Sequence, residues 1–383
     1  MNENKTITII HLVPKEIESG SVVDSRLLLE KIIPELARAT LITLLTNDIK
    51  IYEKVKRKNV KIFYIPLNTN PLYDYRLWIC TIIGLLKTIK KTKIIYIMEE
   101  YPPITIPAII LSNFFGKWIL LKCHSLMCMF NKNLDYLQGI FINLSFLEKI
   151  IFIFTTTIFQ NFIKISRNTI ILVPNHIMRD SLIKITKRHN IYFVYPGNYL
   201  DTEPLHFHGI SGKNATCFVS SKIDRLSFLM IKKISEKNKI YVIGKPIGPL
   251  GRILETNLLS LPNLEYLGIL PSRKELFKTI GSKFDQIIYV SSLYETWSYV
   301  IFESLMLGKK VIVTFFSEFV KKEIIEVYKN IFNKFINIHP ISKTIFLFNL
   351  TVKDRLKLYN YCLTLNKMYV GGICRILTKL LEL

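Results

Sequence analysis

The chain has six cysteines, and no two of them form a Cys-x-x-Cys pair. Zinc sites and dense disulfide frameworks use such spacings, so neither is expected, and Cys80, Cys123, Cys128, Cys217, Cys362 and Cys374 read as reduced, intracellular thiols. A clean apolar run of membrane-spanning length, about 20 residues, is also missing. Ile104–Phe130 is interrupted by Lys117 and Lys122, and Tyr136–Ile163 by Glu148 and Lys149. The start of the chain, Met1–Lys5, is polar and lacks the basic-then-apolar order of a signal peptide. Low-complexity tracts and internal repeats are absent, which excludes extensive disorder. So are a Walker-type phosphate loop and any recognisable nucleophile–base motif. Together these absences point to a folded cytoplasmic protein without a resident metal or cofactor.

Acid is scarce as well. There are 29 Asp and Glu against 52 Lys and Arg, a formal charge of +23, spread along the chain in clusters such as Lys54–Lys58 and Lys87–Lys93. Two readings stand: attraction to a polyanion, or a lysine-rich solvated surface. Nucleic acid is not the expected partner, because no aromatic–basic motif of a known binding module accompanies the charge. What remains for the polyanion reading is a phosphorylated ligand or an anionic membrane surface.

What is abundant is apolar sequence, half of the 383 residues. That length suits two domains. Short β-branched runs at Thr6–Val13, Leu41–Thr46, Lys61–Ile65, Lys93–Met98, Trp118–Cys123, Thr169–Val173 and Ile191–Tyr195 read as strands. Helix-like segments lie between them, at Val22–Ala39 (with Pro34 ending or kinking it), Leu77–Lys91, Ile106–Phe115, Ile140–Ile165 and Met178–Thr186. Asp201–Asn214 has little periodicity and reads as a linker. The alternation then restarts: strands at Ala215–Val219, Lys239–Ile243, Leu264–Leu267, Gln286–Val290 and Lys310–Thr314, helices at Leu226–Ser235, Lys274–Ile280 and Ser298–Leu307, the last closed by Gly308. Lys353–Leu381 is mostly helical. Such alternation implies parallel sheets covered on both faces, with ligands bound beyond the carboxyl ends of the strands. The expected fold is α/β with two tandem, Rossmann-like, doubly wound domains. The boundaries expected are 1–200, a linker at 201–214, 215–355, and a helical segment at 356–383.

The most informative stretch is 291–313. A strand ends near Val290, a polar loop carries Glu295, Thr296 and Trp297, and Ser298 is a good N-cap for an almost wholly apolar helix broken only by Glu303 and Ser304. A helix N-terminus favours anions, through free N–H groups and the helix dipole. A carboxylate on so apolar a helix is costly unless something pairs with it. Glu303 therefore either binds a ligand's hydroxyls or pairs with a cation inside the core.

The segment Tyr294–Val313 resembles the Glu-x7-Glu signature of retaining GT-B glycosyltransferases, the class that includes glycogen synthase-like and lipid-glycosylating enzymes. The likeness lies in the whole context: strand, Ser-Ser-Leu-Tyr-Glu, an aromatic, an apolar helix with Glu303, Leu-Met-Leu-Gly-Lys, then a β-branched strand. The resemblance implies that Glu303 holds the ribose of a nucleotide sugar, that Glu295 lies against the donor sugar, and that backbone N–H groups around Trp297, Ser298 and Tyr299 face the diphosphate. More weakly, His124 resembles the family's His near the donor sugar, though a surface or core His fits that position equally. Gly20 resembles its glycine-bearing first loop, and Gly268 the segment that contacts the base. Where the family carries Gly-Arg and then a Lys, this chain reads Ser220-Ser221-Lys222-Ile223-Asp224-Arg225, which makes Lys222 and Arg225 the candidate diphosphate cations. The usual Gly-x-Gly is reduced to Gly244-Lys245-Pro246, and a later Gly-rich loop is absent at Phe315–Glu318.

The resemblance further implies a C-terminal helix crossing back to the first domain. It also implies a hexosyl transfer from a nucleoside-diphosphate sugar to a glycan or lipid-linked acceptor, with retention. No Asp-x-Asp motif is present, which fits a metal-independent mechanism. The apolar segments interleaved with lysines in the first half suggest reversible association with anionic membranes, against the alternative of ordinary core elements under a basic surface. The altered phosphate loop motivates a second reading, a catalytically silent fold of the same type that binds a partner or a membrane.

Overall fold

The computed structural model describes residues 6–12, 29–47, 55, 57–65, 75–123, 146–188, 190–194, 215–220, 223–246, 251–270, 273–291, 298–315, 318–332, 334–350 and 355–382. The linker expected at 201–214 lies outside them. The described residues fall into two compact units. The first comprises those within Met1–Lys132, Ile150–Tyr199 and Leu363–Leu383, the second those within Asn133–Lys149 and Leu200–Cys362.

The first unit is built on seven strands: β1 (Thr6–His11), β2 (Leu41–Thr46), β3 (Val60–Tyr64), β4 (Ile94–Ile97), β5 (Trp118–Lys122), β6 (Thr169–Val173) and β7 (Ile191–Phe193). They form one parallel sheet in the order β3-β2-β1-β4-β5-β6-β7. β1, β2, β4, β5 and β6 are buried along nearly their whole length, as expected of a parallel sheet covered on both faces. One face packs on α2 (Tyr75–Thr88), α3 (Pro102–Phe115), α4 (Phe146–Ile165) and α5 (His176–Thr186). The other packs on α1 (residues 29–36) and on the last turns of α11 (Arg355–Glu382), whose Tyr369, Val370, Ile373, Leu377, Leu380 and Leu381 are core residues of this unit. The expected return of the C-terminal helix to the first domain is thus present. Lys93 Nζ caps the contact on the Leu381 carbonyl at 2.6 Å, and Lys122 Nζ lies 4.6 Å from the centre of the Tyr369 ring.

Local rules account for the helix ends. α3 begins on Pro102 and Pro103, four residues earlier than its apolar pattern suggests. Proline suits the first turn because the missing N–H would have had no partner there. It ends at Gly116, which takes the left-handed conformation (φ 63°). In α5, Asn175 caps the helix by accepting from Met178 N–H at 2.7 Å. α1 runs two residues past Pro34 and then ends.

The second unit repeats the plan with β8 (Thr216–Val219), β9 (Ile240–Ile243), β10 (Leu264–Gly268), β11 (Gln286–Ser291) and β12 (Lys310–Phe315) in the order β10-β9-β8-β11-β12, all parallel. It then departs from it. β13 (Ile336–Pro340) and β14 (Ile345–Leu350) form an antiparallel pair, and β14 adds to β12 antiparallel. Neither strand was expected. Nor were α7 (Gly251–Leu259) and α10 (Glu318–Phe332), which join α6 (Arg225–Ser235), α8 (Arg273–Lys283) and α9 (Tyr299–Met306). These additions have a purpose in the packing. Phe302 of α9 meets Phe332 of α10 with ring centres 5.3 Å apart, and Tyr328 stands edge-on to Phe348 of β14 at 5.6 Å. The helix of the Glu-x7-Glu segment is therefore seated on α10 and the hairpin.

Candidate functional site

In an open α/β sheet the strand order reverses beside the first strand of the unit, and the crevice there is the natural ligand site. In the second unit that point lies between β8 and β11. Four chain segments reach the same carboxyl edge: Ser220 after β8, Gly244 after β9, Gly268 at the end of β10 and Ser298 beyond β11.

The β9 and β8 ends touch directly. Gly244 has φ 146°, a conformation open to glycine, and a β-carbon there would sit 2.0 Å from the Ser220 carbonyl oxygen, far inside contact distance. Ser220 N–H donates to the Ile243 carbonyl at 3.0 Å, and Gly244 N–H to the Gly268 carbonyl at 2.9 Å. Ile223 N–H then donates to the Lys245 carbonyl at 2.8 Å, leaving the Lys245 side chain exposed. Gly268 is left-handed too (φ 67°), but open space surrounds its missing side chain. Tyr266 locks the arrangement by donating to the Gly244 carbonyl at 2.9 Å, with Glu255 Oε1 at 3.4 Å. Burial, then the Glu255 charge, pushes the Tyr266 hydroxyl up to about 12. The sequence pattern does not mark this tyrosine: an aromatic in a short strand is an ordinary core residue, and its partner Glu255 lies on the unexpected helix α7.

Across the reversal point, Ser298 is fully buried and caps α9, its Oγ accepting from Ile301 N–H at 3.3 Å, while its carbonyl accepts from Tyr328 at 2.7 Å. The N-terminus of α9 is thus held firmly at the end of β11. Tyr299 is buried on its first turn, and Glu303 on its second with 7% of its surface exposed. Ser304 Oγ is buried beside it with no hydrogen-bond partner among the described residues. The buried cation that follows the helix, Lys309, spends a hydrogen bond on the Gly281 carbonyl at 2.8 Å. Gly308 adopts the expected left-handed cap (φ 75°). Arg225 is exposed as the first residue of α6, just after Asp224, which caps that helix on Ser227 N–H at 2.8 Å.

The structure therefore brings Arg225, Gly244, Lys245, Gly268, Ser298, Tyr299 and Glu303 to elements that meet one edge of one sheet. Gly20, His124, Lys222, Glu295 and Trp297 lie outside the described residues. Among the described residues no group of three His, Cys, Asp or Glu could hold a metal ion.

The first unit has its own reversal point, between β1 and β4, where the expected candidate was Gly20 in the loop after β1, outside the described residues. Glu99, directly after β4, is buried with Oε2 3.4 Å from the Leu12 N–H and Oε1 3.5 Å from His11 Nε2. Glu100 is buried next to it. Burial and the charges of Glu99 and Glu100 hold the Tyr101 hydroxyl far above its usual range. A signal did exist: two adjacent carboxylates immediately after a fully apolar strand, where a doubly wound sheet puts its crevice.

No protein-family model and no curated relative matches the chain. Solved structures do. Anabaena HepE in complex with UDP and glucose is 10% identical, with 98% of this chain and 99% of that chain covered at a TM-score of 0.56. A glycosyltransferase from Rickettsia africae is 13% identical over 99% of both chains, at 0.53. A Listeria monocytogenes protein assigned as a UDP-N-acetylglucosamine 2-epimerase is 13% identical over 84% of this chain and 82% of that chain, at 0.50. At such identities the likeness speaks for architecture. In fold, this chain is of the GT-B type, the tandem Rossmann-like architecture of nucleotide-sugar glycosyltransferases.

Proposed function

We propose that the chain is a glycosyltransferase that moves a hexose from a nucleoside-diphosphate sugar to a hydroxyl of a glycan or lipid-linked acceptor in the cytoplasm, with retention and without a metal. One observation carries the reading: a helix start fixed at the reversal point of the second sheet, with a carboxylate buried on its second turn. The N–H groups and dipole of α9 favour a diphosphate, and Glu303 can accept hydrogen bonds from the two ribose hydroxyls. Arg225, Lys222 and Lys245 supply positive charge to the same anion. As the bond between the anomeric carbon and the diphosphate breaks, the diphosphate keeps the electron pair, and these groups stabilise the charge it gains. The acceptor oxygen attacks the same face of the sugar, and its proton passes to the departing phosphate oxygen. Glu295 and His124 are assigned to the donor sugar.

The test is calorimetry with UDP and UDP-glucose, followed by product analysis for transfer, hydrolysis and epimerisation in one mixture. Glu303→Gln should weaken nucleotide binding by about 1.5–3 kcal/mol, roughly ten- to a hundredfold. Unchanged affinity in this variant removes Glu303 from the ribose. Epimerised sugar without transfer or hydrolysis would reassign the reaction. Serine in place of glycine at Ser220, against the single Gly244, favours one second reading: a binding protein of the same fold, which would bind nucleotide and release no sugar.

A further inference from the structure

Two carbonyl oxygens at the carboxyl edge of the second sheet each accept from a tyrosine that belongs to another element. Tyr266 Oη of β10 donates to the Gly244 carbonyl, just after β9, at 2.9 Å. Tyr328 Oη of α10 donates to the Ser298 carbonyl, just before α9, at 2.7 Å. The two carbonyls stand on opposite sides of the reversal point between β8 and β11. The Ser298 oxygen already accepts the first bond of α9, from Phe302 N–H at 3.2 Å, so satisfying it does not require the tyrosine. Something other than satisfaction of a buried carbonyl is being fixed.

A peptide unit is planar, and no described one is cis, so each oxygen points opposite to the N–H of the next residue. Holding the Ser298 oxygen therefore sets the direction of the Tyr299 N–H, the first amide of α9. Holding the Gly244 oxygen sets the Lys245 N–H in the same way. The oxygen end of a peptide is partially negative and the N–H end partially positive, so the orientation of the plane decides whether it repels or attracts an anion. Both tyrosines are themselves held. Tyr328 is 1% exposed, with its ring centre 5.5 Å from that of Phe332 and 5.6 Å from that of Phe348. Tyr266 stands at a register shift in β10, which pairs Tyr266 with Val242 but Gly268 with Ile243. Such an irregularity re-aims the strand locally, and here the Gly268 carbonyl accepts the Gly244 N–H at 2.9 Å. β10 thus grips Gly244 through both its N–H and its carbonyl. Glycine has the most freedom of any residue, and these two bonds remove it.

We propose that Tyr266 and Tyr328 are positioning residues for the anionic part of the ligand, fixing the two peptide planes that present the Lys245 and Tyr299 N–H groups to a diphosphate from its two sides. The inference rests on the reading of this edge as a nucleoside-diphosphate site, and it assigns neither hydroxyl a contact with the ligand. The experiment is calorimetry of the full chain with UDP, and with uridine measured by its displacement of UDP, for wild type, Tyr266→Phe, Tyr328→Phe and the double variant. Each substitution keeps the ring and removes only the donor. Each should weaken UDP binding about tenfold, the effect of one well-placed hydrogen bond. Uridine, which has no diphosphate for the amides to meet, should bind as before. The double variant should lose about a hundredfold, because the two bonds hold separate peptides. Equal losses for UDP and uridine overturn the proposal, since a tyrosine that only supports the fold would weaken both. So does UDP affinity unchanged in both single variants, and so does a double variant no weaker than the weaker single one. Tyr266 is half-buried, so its variant decides the matter alone if Tyr328→Phe, within its aromatic cluster, does not fold. A wild type that binds no UDP overturns the reading of the edge itself, and this inference falls with it.

Discussion

The two sheets share the central order 3-2-1-4-5, yet they finish their reversal points with opposite chemistry. In the first unit the chain's own carboxylate fills the place. Glu99 takes the Leu12 amide and approaches His11, with Glu100 alongside. In the second, the β8 end meets a glycine, a serine-capped helix start stands opposite, and Lys245 and Arg225 are exposed among the described residues. Topology offers a crevice in both units, and the described side chains at the two differ in sign: buried carboxylates at the first, exposed cations at the second.

The comparison can be broken at its glycines. Gly244→Ala should be the most damaging change, about 4 kcal/mol or more, because the backbone conformation and the Ser220 carbonyl both oppose a side chain. Gly116→Ala in the first unit, also left-handed but in open space, should cost about 1 kcal/mol. Peptide-resolved amide exchange under denaturant would assign each loss to its unit. Equal costs would mean that the β8–β9 contact is not the constraint described.

Glu99→Ala should come next, about 3 kcal/mol, with exchange speeding up around β1 and β4 and not around β8 and β11. Glu99→Gln, which keeps an acceptor for Leu12, should cost less. If neither matters, the first reversal point is not held by its carboxylate.

The smallest effect concerns Tyr266. Its folded pKa, about 12, exceeds the ordinary tyrosine value of 10.0, so the folded state favours the neutral phenol. The stability this contributes is fully present below pH 10 and is lost as pH rises toward 12. A denaturation series across that window should show a decline in the wild type that Tyr266→Phe lacks.

Where the sequence was legible, a local pattern was enough. Thr169–Val173 and Leu41–Thr46 are strands with the expected limits, Ser298 is the N-cap its position suggested, and Gly308 is the left-handed stop. What escaped was non-local or broke the alternation. The β13–β14 hairpin is antiparallel in an otherwise parallel sheet, so it breaks the strand–helix alternation, and the half-buried alternation along Ile345–Leu350 is short. α7 is short and follows strand β9 after a brief gap, without a strong N-terminal signal. The His11–Glu99 and Tyr266–Gly244 contacts depend on which strands lie side by side, and residues 88 and 22 positions apart in sequence give no local hint of that.

The first unit draws its core from both ends of the chain. Residues of β1 and the side chains from Tyr369 to Leu381 share one cluster, although the whole second unit is encoded between them. During synthesis the amino-terminal sheet therefore leaves the ribosome with one face covered only in part, by α1, and it waits in that condition until the carboxyl-terminal helix emerges. The second unit has no such wait, so the half of the protein made last is the half that can mature first.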